Sequence, residues 1–95
     1  MTAGVVTVSA QYIYRVHGIV TDAETSEELI GVSVVCKTCN ANHLPVQTLT
    51  DLDGYYQLVG YNHWGHVLEF SYIGYETQLV NVTRWELNVA LTPIE

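Results

Sequence analysis

The segment CKTC, Cys36 to Cys39, holds the only two cysteines of a 95-residue chain. A C-x-x-C pair has two chemistries open to it, thiol–disulfide exchange and metal ligation. Exchange of the thioredoxin type needs a thiol whose pKa is lowered at a helix N-terminus. Here the cysteines close a β-branched run, and Asn40 to Pro45 reads as a loop leading to another extended run. Three residues of extended strand span about 10 Å, beyond the roughly 7 Å between Cα atoms that a disulfide tolerates. The pair therefore bridges only if the strand ends between the two residues. The simpler expectation is a small core residue at Cys36 and an edge or loop thiol at Cys39.

Metal ligation asks for more residues. Cys39, His43, His63 and His66 are ligand types that zinc accepts; Cys39 and His43 complete a C-x-x-C-x-x-x-H that begins at Cys36, which would have to leave the core to join them, and His63 and His66 form a distant H-x-x-H. They gather only if their two loops emerge at the same end of the fold. Scattered surface histidines are commoner than cages, so the expectation is that the domain carries no metal and no cofactor.

Two further groups have chemistry in them. Tyr55, Tyr61 and Trp64, with Tyr75 and Trp85, are aromatic rings of the kind that stack on sugars, and Trp64 stands in a glycine-flanked loop where burial is not assured. Asp51 and Asp53 in DLDG resemble the start of a calcium loop, yet the later glutamate of such loops is absent, and capping of a turn by aspartate is the better reading. For catalysis, no serine sits at a small-residue elbow, no glycine-rich segment cradles phosphate, and the acids fall in turns. The chain is expected not to be an enzyme.

These residues must be positioned by strands. Val16, Gly18 and Val20 alternate with Arg15, His17 and Ile19, and the same period of two recurs in IGVSVVCK, VQTLT, YYQLV, VLEFSYI, TQLVNV and WELNVAL. No segment has helical periodicity. Seven short strands with regular turn signals predict an all-β fold, a two-sheet sandwich with a core of Val16, Val20, Val32, Val34, Tyr56, Leu58, Leu68, Phe70, Leu87 and Val89. If successive strands run end to end, the cysteines and most histidines collect at one pole. Asp22, Glu24, Glu27, Glu28, Asp51, Asp53 and Glu76 collect at the other, where they would suit a basic surface on a partner.

Composition sets the outer bounds. Three Lys and Arg stand against ten Asp and Glu, a net charge of −7, which repels nucleic acid and anionic membrane surfaces. Hydrophobic residues make up 48% of the chain but lie in short runs, too short to cross a bilayer as a helix, so no membrane insertion by this domain is expected. Residues 1–11, MTAGVVTVSAQ, are small and uncharged, with a small-x-small close before Gln11. They read as a residual signal peptide or a disordered tail, set apart from a domain over residues 12–95. Asn81 in NVT has the form of a glycosylation acceptor.

The strings GIVTDAETSEELIGVSVV, TLTDLDGYYQL, LEFSYIGYETQLVNV and LNVAL resemble a carboxypeptidase-regulatory-like domain over nearly everything from Tyr14 to Leu91. That is a transthyretin-like Greek-key sandwich, as found at the N-terminus of Sus-type TonB-dependent outer-membrane transporters. The most specific pieces are Thr50 to Leu58 and Phe70 to Glu76. The resemblance implies an exported, non-catalytic accessory domain on the periplasmic side of the outer membrane. Its partners would be other domains of a parent nutrient transporter, or periplasmic and outer-membrane proteins, with a glycan as a further ligand; the alternative is a carbohydrate-binding or metal-binding sandwich module of another exported protein. Two features depart from the family pattern: the cysteines stand where an apolar and a small turn residue are usual, and YNHWGH is more aromatic than the equivalent loop.

Overall fold

A computed structural model describes residues 15–39, 46–59 and 63–94, and among them forms seven strands. They are β1 (Arg15–Asp22), β2 (Ser33–Cys36), β3 (Gln47–Leu49), β4 (Tyr55–Val59), β5 (Val67–Ser71), β6 (Gln78–Asn81) and β7 (Val89–Leu91). One sheet has the order β4-β1-β7 and the other β3-β2-β5-β6. The chain is thus an all-β, seven-stranded, two-sheet sandwich.

Each strand forms because its side chains divide between two environments. Along β1, Val16, Gly18, Val20 and Asp22 are buried, while the residues between them face partly outward. β4 repeats the division with Tyr56 and Leu58 inward, and β5 with Leu68 and Phe70. All ten expected core residues are buried, and Leu29, Cys36, Val82 and Leu91 join them. Tyr56 from one sheet meets Phe70 from the other edge to face, with ring centroids 5.3 Å apart. This arrangement lets two large rings interlock across the layer.

Register follows from the turns. β1 pairs antiparallel with β4, Val16 opposite Leu58, and β2 pairs with β5, Val34 opposite Phe70. β1 and β7 pair in parallel, Val20 beside Val89, because the first and last of seven alternating strands run the same way. The closing segment is not the continuous strand that WELNVAL suggests. Glu86 makes a single bridge to His17 before β7 begins at Val89. Between them an ideal Cβ on Gly18 would lie 1.9 Å from the Leu87 carbonyl oxygen, and Asn88 Oδ1 takes the Ile19 N–H at 2.9 Å. A side chain here replaces the backbone acceptor of the ladder.

Strand alternation sorts the connections into two poles. The C-terminal ends of β2, β4 and β6 lie at one, and those of β1, β3 and β5 at the other. Tyr14 and residues 1–13, which include the proposed tail, lie outside the described residues.

Candidate functional site: two poles of the sandwich

At the first pole the cysteine pair is oxidised. Cys36 and Cys39 form a disulfide with Cα atoms 5.5 Å apart. This corrects the expectation of a loop thiol at Cys39. β2 ends at Cys36 and the chain bends through Lys37 and Thr38, which shortens the span from its extended value. Cys36 N–H still donates to Val46 O at 2.9 Å and Lys37 N–H to Val67 O at 2.8 Å. Cys36 itself remains part of the core.

The bend carries Thr38 to the loop before β5. Thr38 Oγ1 accepts from Val67 N–H at 3.1 Å and lies 2.8 Å from His66 Nδ1. The His63–His66 turn closes on itself through His66 N–H to His63 O, and is tied to the next connection by Gly65 N–H to Val82 O and Val82 N–H to His66 O. As a result Cys36 Sγ, Cys39 Sγ and an imidazole nitrogen of His66 lie within 4.8 Å of one another.

The sequence-based ligand set is therefore divided. Cys39 and His66 meet, and Cys36 joins them from the end of its strand. His63, only 1% exposed, is packed inside the fold and is not one of the three. His43 lies outside the described residues.

The aromatic set divides too. Trp64 and Trp85, 51% and 39% exposed, approach with ring centroids 5.0 Å apart and planes inclined at 47°. Tyr55 is not near them. It pairs with Ile19, four residues along β4 from the Val59–Arg15 pair at the first pole, and its ring faces His17 at 6.1 Å. Tyr61 lies outside the described residues. Trp64 and Trp85 sit in separate connections, so no sequence spacing announces their pairing.

The second pole is acidic and tightly tied. Asp22 Oδ1 accepts from the N–H groups of Glu24 and Thr25 at 2.7 and 3.0 Å, while Oδ2 accepts from the Tyr75 hydroxyl at 2.7 Å. The Tyr75 hydroxyl, followed by the two N–H groups, holds the Asp22 carboxyl below its ordinary pKa. The same carboxylate pushes the Tyr75 phenol up to about 12. Asp51 Oδ1 accepts from Asp53 and Tyr55 N–H at 2.9 and 3.0 Å, the turn-capping role expected of it.

Thr50 shows why the T-D-x-D-G-x-Y-x-L string is built as it is. Its buried hydroxyl donates to Leu29 O at 2.6 Å and accepts from Val32 N–H at 2.9 Å, and its backbone bonds Val32 O and Gly31 N–H. Gly54 then turns back at φ 74°, close against Val20 O and Glu28 Cβ, where a side chain would crowd both. Motif membership singled out Thr50, but not its role as a clasp.

Exposed apolar tips share this pole. Leu52 is 80% exposed in the turn after β3, and Ile73 is 92% exposed in the turn after β5. Ile94, also exposed, is held against the turn that carries Ile73 by its N–H to Gly74 O at 2.9 Å.

Residues 16–92 match the family model of the CarboxypepD_reg-like domain, and the chain belongs to that family. Among solved structures, a mutant of the shaft pilin spaA from Lactobacillus rhamnosus GG is similar, with a TM-score of 0.58 and 13% sequence identity. The alignment covers 88% of this chain and 49% of the pilin, so the chain spans about half the length of that structure, and the likeness is one of fold. No curated protein matches the sequence.

Proposed function

We propose that this domain is a non-catalytic accessory module of a TonB-dependent outer-membrane transporter for glycans or other nutrients, exported to the periplasmic side of the outer membrane. The observation that carries the reading is the second pole, where apolar tips at Leu52, Ile73 and Ile94 stand among Glu24, Glu27, Glu28, Asp51, Asp53 and Glu76. Exposed apolar groups rimmed by charge of one sign suit docking to a basic surface with an apolar centre, here another domain of the parent protein or a neighbour in the envelope. The strings from Thr50 to Leu58 and from Phe70 to Glu76 support the transporter setting by their likeness to the accessory domains of such systems. A non-catalytic role is supported by the use of polar side chains: Asp22, Thr50 and Asp51 are hydrogen-bonded to the backbone of turns and connections.

Deleting residues 12–95 from the full-length parent in its own host tests this. Uptake of the cognate nutrient should fall while the parent still reaches the outer membrane. Unchanged uptake, or a parent found in another compartment, defeats the reading.

A second reading is favoured by one observation, the exposed pair of Trp64 and Trp85. Two inclined indoles form a platform for the apolar face of a sugar ring, which would make the first pole a glycan contact within the same module.

A further inference from the structure

We propose that the reduced form of this chain carries a zinc-class metal site made of Cys36, Cys39 and His66. The inference stands on the first pole alone and does not depend on the transporter reading. In the oxidised form the two sulfurs are bonded to each other and cannot serve as thiolate ligands. They nevertheless lie, with an imidazole nitrogen of His66, within 4.8 Å of one another. A tetrahedral zinc centre with Zn–S near 2.3 Å and Zn–N near 2.0 Å needs ligand atoms roughly 3.5–3.8 Å apart. Opening the disulfide lets the sulfurs separate to that spacing by side-chain rotation, with His66 already beside them.

The chemistry balances with a dithiol as reductant. It transfers two electrons and two protons to the Cys36–Cys39 disulfide, giving two thiols and leaving the reductant as its own disulfide. Binding of one divalent cation then releases the two thiol protons, and the imidazole nitrogen supplies a third bond through its lone pair. A water completes the fourth position, as in other sites with three protein ligands.

The surroundings favour a formed site over a chance grouping. Thr38 Oγ1 is anchored by Val67 N–H and lies 2.8 Å from His66 Nδ1, which fixes the ring. Such a partner orients ligating histidines in general. Backbone bonds from Cys36 to Val46, and from Val82 to His66, tie the residues on either side of the site to their neighbours in the fold. This set differs from the sequence-based one, because it takes Cys36 from the strand end and leaves His63 in the interior.

Cobalt(II) titration of the 95-residue chain, reduced with a phosphine that offers no thiol, tests the proposal. Expected are one cobalt per chain, thiolate-to-cobalt charge-transfer absorption in the near ultraviolet, intense tetrahedral visible bands, and displacement by zinc. Cys39→Ser should abolish the charge-transfer band of a dithiolate, and His66→Ala should weaken binding at least tenfold and change the visible bands. The oxidised chain should give neither signal. Far-ultraviolet circular dichroism of the reduced chain and both variants monitors the fold. A reduced, folded chain without charge-transfer absorption overturns the site, as do equal binding by the oxidised chain and a His66→Ala variant with unchanged affinity and spectrum. Loss of strand signal on reduction alone also overturns it, since His66 would no longer be held beside the thiols.

Discussion

The Tyr75 hydroxyl donates to Asp22 Oδ2 at 2.7 Å across 53 residues of sequence, joining the turn after β5 to the end of β1. Both groups titrate differently because of it. Asp22 is lowered in the folded state, so its contribution to stability is present above the ordinary carboxylate range, near 4, and is lost as pH falls through the lower folded value. Tyr75 is raised to about 12, so its contribution is complete below the ordinary phenol value, about 10, and is lost as pH rises through about 12. Tyr75→Phe should lower the thermal midpoint between these limits and shrink its fall on both the acid and the alkaline side. A midpoint-against-pH curve parallel to that of the unsubstituted chain would mean that the bond does not act in solution.

Thr50→Val tests the clasp at the same pole. The substitution keeps the shape and removes a hydroxyl that serves Leu29 O and Val32 N–H, leaving both in a site where Thr50 is only 4% exposed. Two orphaned groups of this kind cost about 2–3 kcal/mol together. Thr50→Ser, which keeps the hydroxyl and loses one methyl, should cost about 1 kcal/mol. Urea unfolding of the two variants gives the comparison, and a serine variant as unstable as the valine one would assign the effect to packing instead.

What the sequence disclosed, and what it withheld, divides along physical lines. Inward residues such as Val34 and Phe70 are apolar because a buried strand face has no other good option, so period-two alternation located the core. Connections could be assigned to poles because strands that reverse direction at each turn leave little freedom. The disulfide was hidden because it depends on where β2 stops, and the contacts at that point, Lys37 N–H to Val67 O and Val67 N–H to Thr38 Oγ1, are made with a segment about 30 residues away. The interruption before β7 was hidden for a similar reason: LNVAL alternates well, and only the approach of Gly18 to Leu87 shows why the ladder breaks there. His63 carries no local mark of its burial, since histidines in a loop are usually wet.

Gly18 and Tyr56 converge on one carbonyl. The Tyr56 hydroxyl donates to Leu87 O at 2.8 Å, and burial raises the phenol's pKa, which keeps it a donor across the usual pH range. An alanine Cβ at Gly18 would fall 1.9 Å from that same oxygen and must displace it. Gly18→Ala should therefore cost on the order of 3 kcal/mol, and Tyr56→Phe about 1 kcal/mol. Because displacement of Leu87 already breaks the tyrosine bond, the double variant should be less destabilised than the sum. Strict additivity in urea unfolding would show that the two residues do not share this contact.

The tryptophan pair gives a direct test of sugar contact. Trp64 and Trp85 are the chain's only tryptophans, and they lie 5.0 Å apart, so a sugar ring seated on either one changes most of the indole emission. Stacking on an exposed aromatic contributes through apolar contact with one face of the ring, and binding by a single pair of this size should be weak, with Kd on the order of 1 mM. Titration with neutral oligosaccharides should shift the emission saturably. Trp64→Ala should abolish the shift, whereas Tyr55→Ala should leave it unchanged, because Tyr55 lies toward the opposite end of β4. A flat titration for the unsubstituted chain, over a panel of glycans up to about 10 mM, would leave the indoles as packing groups. Equal loss in Trp64→Ala and Tyr55→Ala would point to a binding face along the β4-β1-β7 sheet and away from the pole.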